Sequence, residues 1–285
     1  MKIGSTAITN CKIGSTQVSS IRIGSTLVWS SGPSYDPDAQ LFITATGITD
    51  LTQKNAINQL VLDLKGYSIW TKMKALYPFV GGTATTHKFN LKNPLDTDAA
   101  FRLSFNGGVT HSSNGVTGNG INAYYLTYIN PSTIFSPISG GSQFVYIRNN
   151  TDTGVDLGAF QSAVNYRMQV MTRFGNLFYG SALANGFYSQ ANTDSRGFFG
   201  VTRTPSSGVF YSILNTNSYS TTDAYQEPNS IITGFAFNVD NSAIIQTFSD
   251  HQHAMACVAD GLTTTEAQNL RIANLTFQTS LSRNV

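Results

Sequence analysis

From residue 79 to residue 258 the chain is a succession of short apolar runs, broken about every eight to twelve residues by clusters of Gly, Asn, Pro or Ser. Residues 101–105 read Phe-Arg-Leu-Ser-Phe before Asn106-Gly107-Gly108, and residues 143–148 read Gln-Phe-Val-Tyr-Ile-Arg before Asn149-Asn150. Residues 166–171, 197–201, 209–214, 231–238 and 253–258 repeat the pattern. These runs lack helical periodicity, and no helices alternate with them as a parallel sheet requires. The rhythm predicts a mainly β fold: two antiparallel sheets in a jelly-roll sandwich, with a wide concave face open to a ligand.

Helical periodicity is confined to the flanks. Residues 50–65 place Leu51, Ala56, Ile57, Leu60, Val61 and Leu64 on one side, with Thr49 or Asp50 as cap and Gly66 as stop. For residues 69–76, a helical turn and a strand both remain open. Near the end, Thr263-Thr264-Thr265-Glu266 is a capping-box pattern. Ala267, Leu270, Ala273, Leu275, Phe277 and Leu281 follow in helical register, so a last helix is expected over an edge or outer face of the sandwich.

The first thirty residues repeat one phrase at a period of ten: Lys2-Ile3-Gly4-Ser5-Thr6, Lys12-Ile13-Gly14-Ser15-Thr16 and Arg22-Ile23-Gly24-Ser25-Thr26. Ile8, Val18 and Val28 follow each threonine by two positions, and Met1, Cys11 and Ile21 precede each isoleucine by two. Short β segments joined by tight turns, apolar on one face, are the natural reading. One unit is too small to bury that face, and three make a poor core. Association with identical chains or with a partner would complete it. Ile3, Gly4, Ile13, Gly14, Ile23, Gly24 and Trp29 are therefore the expected attachment or oligomerisation residues; the glycines are included because a turn of positive φ tolerates little else. The expected division is repeats at 1–30, a linker and first strand at 31–48, a helical segment at 49–78, and the sandwich with its last helix at 79–285.

Asp, Glu, Lys and Arg make up only 11% of the chain, against roughly 25% in ordinary soluble domains. Ser, Thr, Asn and Gly take their place, a surface usual for extracellular and virion proteins. A net charge of +2 gives no argument for nucleic acid or an anionic membrane. No run reaches the length of a membrane span, and no apolar block at the N-terminus reads as a secretory signal. Cys11 and Cys257 sit in apolar contexts and read as small buried hydrophobes rather than a disulfide.

Catalytic patterns are thin. The two glutamates, Glu227 and Glu266, fall in a loop beside Pro228 and in the helix cap, which offers no carboxylate pair for glycoside hydrolysis. Asp96-Thr97-Asp98 reads as a turn. His251-Gln252-His253 is the sharpest metal-like signal, with Asp250 and Asp260 as nearby ligands, although two ordinary strand histidines explain it as well. His87 and His111 read as edge or backbone-bonding residues, and Asp194-Ser195 lacks a nucleophile-elbow context. The glycines of 115–120 read as turns, not a phosphate cradle. Asp152 and Asp156 are candidate calcium donors. Tyr124, Tyr125 and Tyr128, near Asn122 and Asn130, are either a packed sheet face or a sugar platform. No cofactor, metal or catalytic residue is expected.

The Ile-Gly-Ser-Thr units ending in Leu27-Val28-Trp29 resemble short repeats at the N-termini of tailed-phage virion proteins. The blocks at 75–82, 88–94 and 105–111, with the ending at 277–283, resemble structural proteins of phages infecting Bacteroidetes, including crAss-like phages. That resemblance implies a concanavalin-like sandwich on a fibre, tail or head decoration located on the virion. It implies a homotrimer held to other virion proteins by its N-terminal repeats, displaying a lectin-like domain to host-surface glycans, with neither nucleic acid nor membrane insertion involved. The alternatives are a glycan-cleaving depolymerase and a decoration without an external ligand.

Overall fold

The computed structural model describes residues 2–3, 6–7, 11–18, 20–30, 34–135, 139–204, 209–212, 218–220, 225–241 and 244–285. It separates into two compact units, Met1–Asp36 and Pro37–Val285.

The first unit holds three antiparallel hairpins: β1 (Lys2–Ile3) with β2 (Thr6–Ala7), β3 (Lys12–Ile13) with β4 (Thr16–Gln17), and β5 (Ser20–Ile23) with β6 (Thr26–Ser30). In each, the isoleucine pairs with the threonine, and in the second and third hairpins a two-residue Gly-Ser turn joins them. Gly14 and Gly24 have φ of 62° and 61°, the first-position geometry of a type II′ turn, which matches the twist of a hairpin. Nothing crowds a Cβ at either glycine, so the requirement is one of backbone conformation alone. Gly4 lies outside the described residues. Cys11 accepts from the Val18 N–H at 2.8 Å, which puts Cys11, Ile13, Thr16 and Val18 on one face. Ile13 and Ile23 are 77% and 70% exposed, whereas Cys11, Val18, Ile21 and Val28 are half-buried. Trp29 differs from the expected set: it is already buried in the single chain, opposite Ile21 in the ladder.

The second unit opens with α1 (Pro37–Thr46) and α2 (Leu51–Gly66), then β7 (Met73–Tyr77) and the short α3 (Ala84–His87). Next come β8 (Ser104–Asn106), β9 (Thr110–Ser112), β10 (Gly115–Thr117), β11 (Tyr124–Leu126) and α4 (Pro131–Ile134). The long strands are β12 (Gly141–Ile147), β13 (Leu157–Gln161), β14 (Tyr166–Phe174), β15 (Leu177–Ala184), β16 (Tyr188–Ala191) and β17 (Gly197–Arg203). They are followed by β18 (Val209–Ser212), β19 (Ser218–Ser220), β20 (Thr233–Gly234), β21 (Phe237–Val239), β22 (Ile244–Gln246), β23 (Gln252–Ala259) and α5 (Thr264–Ser280). Among the described residues one sheet runs β19-β18-β17-β12-β23-β10-β9, with β7 also paired to β23. The other runs β16-β15-β14-β13-β20-β11-β8, with β21 and β22 beside β13. Pairing is antiparallel except between β13 and β21.

The two sheets face each other across a core that includes Tyr77, Val145, Ile147, Phe199, Val201 and Val258 from the first, and Leu157, Met168, Val170 and Phe178 from the second. On the other side of the first sheet, Leu76, Phe144, Tyr146, Met255 and Cys257 are buried too, and α2 packs on α5 over this layer. The Cys257 thiol, pushed up to about 12 by burial, is inert, and neither Cys257 nor Cys11 forms a disulfide in the described structure. On the outer face of the second sheet Phe160, Arg167 and Tyr179 are half-buried, while Gln169, Met171 and Ser181 are buried.

The capped helices arise as their sequences dictate. The Asp50 carboxylate accepts from the Gln53 N–H at 2.8 Å, and Thr263 and Glu266 form a reciprocal capping box. Leu51, at the first position of α2, is 58% exposed and stands off the buried stripe. In α5 the stripe turns polar: Asn274 and Gln278 are buried, while Leu275 and Leu281 are only half-buried.

Three segments depart from expectation. Residues 37–46 are a helix rather than a linker and first strand. Pro37 suits a first turn, and Ala39, Phe42 and Ile43 bury one helical stripe that outweighs the β-branched composition. Residues 70–72 form a 3₁₀ turn and 73–77 a strand paired to β23, so the sandwich begins inside the segment read as helical. Residues 231–238 break into β20 and β21 around Phe235, whose φ is 65°.

Candidate functional site

Two polar clusters are buried. Asp156, just before β13, meets both histidines of the His-Gln-His run: His251 Nδ1 at 2.7 Å and His253 Nε2 at 3.2 Å. The carboxylate also accepts from the Thr172 N–H at 2.7 Å. His251 Nε2 faces the Thr151 carbonyl at 3.0 Å, so both its ring nitrogens face acceptors and both carry protons. His253 Nδ1 lies 3.0 Å from the Tyr125 hydroxyl, which donates to it, leaving the proton on Nε2. Burial alone would raise the Asp156 carboxyl, yet the His251 charge and the two imidazole hydrogen bonds hold it far below the usual range. For His251 burial works downward, and the Asp156 charge and hydrogen bond overcome it and raise the value. Burial keeps His253 lowered and neutral.

The cluster is wholly enclosed, with Asp156, His251 and His253 each at 0% exposure. It joins β11 and β13 of one sheet to β23 of the other and works as an internal staple. Among the described residues no group of three His, Cys, Asp or Glu is arranged to hold a metal ion. The ligands proposed from sequence sit elsewhere: Asp250 accepts from Thr151 Oγ1 at 2.8 Å, and Asp260 pairs with Lys74 at 2.9 Å. Asp152 and Asp156 do not converge as calcium donors, because Asp152 instead accepts from the Gly175 and Asn176 N–H groups of the β14–β15 turn.

His87 and His111, 24 residues apart in the chain, meet Nδ1 to Nδ1 at 3.0 Å. His87 Nε2 accepts from the Gly82 N–H at 3.2 Å, so His87 donates through Nδ1 and both rings are neutral. Burial first, then the repulsion that a protonated His111 would exert and the Arg283 charge, lower His87 to about 3. Ser195 donates to the Asn149 carbonyl at 2.9 Å, with no histidine beside it in the described structure. The other acids are locally engaged: Asp96 and Asp98 with Lys88 and Arg102, Asp194 with Arg196, Asp38 with Lys65 and Glu266 with Lys72. Of the tyrosine cluster, Tyr125 packs in the core, while Tyr124 and Tyr128 are half-buried. Tyr125 is fully buried, and the Tyr128 hydroxyl lies 2.7 Å from Ser104 Oγ.

A further candidate is the outer face of the second sheet. Met168 and Val170 of β14 point into the core, so Arg167, Gln169 and Met171 point outward. Across the ladder Phe160 opposes Arg167, Gly158 and Ser181 flank Gln169, and Tyr179 opposes Met171. Ring contacts then run unbroken over the sheet. Phe237 lies 6.0 Å from Phe160, and the Arg167 guanidinium sits 4.8 Å from Phe160 and 5.4 Å from Phe187. Phe187 is 5.5 Å from Tyr179, and Tyr179 is 6.4 Å from Phe174. A side chain at Gly158 would strike Phe237 at 2.8 Å, so the glycine seats that ring. Phe187, in the β15–β16 loop, and Phe174 are 53% and 46% exposed.

Two polar atoms in this row lack partners. Arg167 Nη2 donates to Asn165 Oδ1, but Nε is buried without a hydrogen bond, and burial lowers the guanidinium from its ordinary value. Gln169 is 3% exposed; its amide nitrogen reaches only the Met171 sulfur at 3.8 Å, and its carbonyl oxygen has no donor. Among the described residues no carboxylate forms an ion pair with Arg167.

The chain is similar in fold to part of a sialidase. A mutant Trypanosoma rangeli sialidase displaying trans-sialidase activity superposes with a TM-score of 0.51 at 10% identity, over 86% of this chain and 40% of that one. The chain thus spans about two fifths of that protein. Domain 4 of AbnA, an extracellular arabinanase of Geobacillus stearothermophilus in complex with arabinotriose, gives 0.43 at 12% identity over 70% of this chain and 98% of that domain. No family model and no curated protein matches the chain. The likeness to the sialidase bears on the fold alone, and the antiparallel sandwich is the one the sequence rhythm predicts. At such identities it carries no activity across.

None of the sequence motifs marked this face. Its one local signal is the alternation Arg167-Met168-Gln169-Val170-Met171, which places an arginine and an amide outward on a strand whose other face is core. Such a face can stack the C–H side of a ring on aromatic surface and offer it a cation and an amide acceptor.

Proposed function

We propose that the chain is a non-catalytic glycan-binding component of a tailed-phage virion, fastened by its N-terminal hairpins and displaying the second-sheet face toward the host surface. The observation that carries the binding reading is the aromatic row on the outer face of the second sheet, with the Arg167 guanidinium over the Phe160 and Phe187 rings. Sugar recognition uses flat apolar rings beside unpaired polar groups. Engagement of Asp38, Asp96, Asp98, Asp194, Asp260 and Glu266 in ion pairs supports binding without turnover. Phe187→Ala is expected to weaken retention on immobilised oligosaccharides about tenfold, ~1.4 kcal/mol, while leaving the melting temperature nearly unchanged because the ring is exposed. Equal retention of parent and variant would remove the face as the binding site.

The attachment reading rests on Ile13 and Ile23, which project as exposed β-branched side chains from hairpins too small to form a core. Covering them in a trimer, or on another virion protein, removes apolar surface from water at roughly 25 cal/mol per Å². Ile13→Asp with Ile23→Asp in the full chain is expected to reduce a trimer to a monomer by light scattering, with the sandwich still folded by circular dichroism. If the parent is itself monomeric, the hairpins dock on a different chain; a doubly substituted trimer would refute the assignment.

A further inference from the structure

We propose that the glycan bound on the second-sheet face contains a sugar acid, whose carboxylate pairs with Arg167 and whose neighbouring hydroxyl donates to Gln169. The inference rests on the glycan-binding reading and specifies its chemistry. Arg167 is a half-buried cation with no carboxylate paired to it among the described residues and an Nε–H without an acceptor. Its planar fork favours a planar carboxylate that engages two N–H groups at once.

Gln169 poses the complementary demand. Its carbonyl oxygen is buried, accepts nothing, and so calls for a donor. A carboxylate cannot supply one, and a neutral sugar leaves Arg167 unpaired. A sugar acid carries an anionic acceptor and hydroxyl donors on one ring. Arg167 and Gln169 are alternate residues on one strand face, about 7 Å apart along the backbone, a span comparable to the breadth of a hexose. Phe160 and Phe187, whose ring centroids lie 4.8 and 5.4 Å from the guanidinium, supply the stacking surface. Phe187 also touches Tyr179, so it spans the Gln169–Ser181 pair, and the donor must enter beside this loop residue.

The test uses the full chain on an immobilised panel built from matched triplets: a neutral oligosaccharide, its hexuronate or sialylated counterpart, and its sulfated counterpart. The acid member is expected to bind at least about tenfold more tightly than the neutral one, with affinity falling as salt rises. Arg167→Met, which keeps an aliphatic stack between the rings, should erase that preference and leave neutral binding in place. Arg167→Lys should recover only part of it, and Gln169→Leu should weaken acid and neutral members alike. Circular dichroism and melting temperature confirm that each variant folds. Equal binding of neutral and acid members, or preference for the sulfated one, overturns the sugar-acid assignment while the face stands as a glycan site. Absence of binding across the panel, or binding indifferent to Phe187→Ala, overturns the glycan reading itself.

Discussion

Replacement of Asp156 by Ala is expected to lower the unfolding free energy by about 3–5 kcal/mol at neutral pH, the cost of removing one partner from a buried ion pair. The Thr172 N–H and the two imidazole donors then face a void. The pH profile carries the sharper signature. His251 is held above its ordinary value, so its contribution is complete below about pH 6.5 and is lost as pH rises through its raised folded value. Asp156, held low, contributes above about pH 3.9 and is lost on acidification through its depressed value. His253 is neutral in the fold and charges on unfolding below about pH 6.5, so acid destabilises through it. Urea unfolding at several pH values should show an alkaline decline in the parent that Asp156→Ala lacks, because nothing then holds the second proton on His251. A variant that unfolds at the parent's midpoint, or that keeps the alkaline limb, would refute the staple.

Arg283→Met is expected to cost about 3 kcal/mol, measured by the same unfolding curves. The arginine is 1% exposed, and its guanidinium donates to Gln278 Oε1 at 3.0 Å, the Phe79 carbonyl at 2.8 Å, and the Pro78 and Ala254 carbonyls at 3.1 Å each. Methionine has the length to fill the space but leaves three carbonyls without this donor. Burial first, and the Arg148 charge second, lower Arg283 to about 9. Carbonyl dipoles and the C-terminal end of α5 balance the charge where a carboxylate would ordinarily stand. If Arg283→Met unfolds with the parent, the latch is ornamental.

Strand rhythm was legible where a run alternates into a core on at least one side, as in β12, β14 and β23, and helix ends were legible where a side chain satisfies a backbone N–H, as at Asp50 and Thr263. Residues 37–46 were opaque because their helix is chosen by burial of Phe42 and Ile43, a tertiary effect that local propensity does not carry. The His-Gln-His run and Asp156 were each marked, yet nothing local says that 95 residues of chain close to bring His251 onto that carboxylate. The aromatic row was the least legible feature. Its rings come from four strands and a loop, and each phenylalanine taken singly reads as core.

The order of strands also sets the order of assembly. The second sheet's run β13 through β16 consists of neighbours in both sequence and space, so it closes through short loops. The first sheet cannot: β23 pairs with β12, β10 and β7, and its Ala256 lies beside Tyr77. Loop closure of that length is slow. During synthesis the first sheet therefore stays open between β12 and β10 until residues 252–259 are available, and the last strand made is the one that joins its two parts.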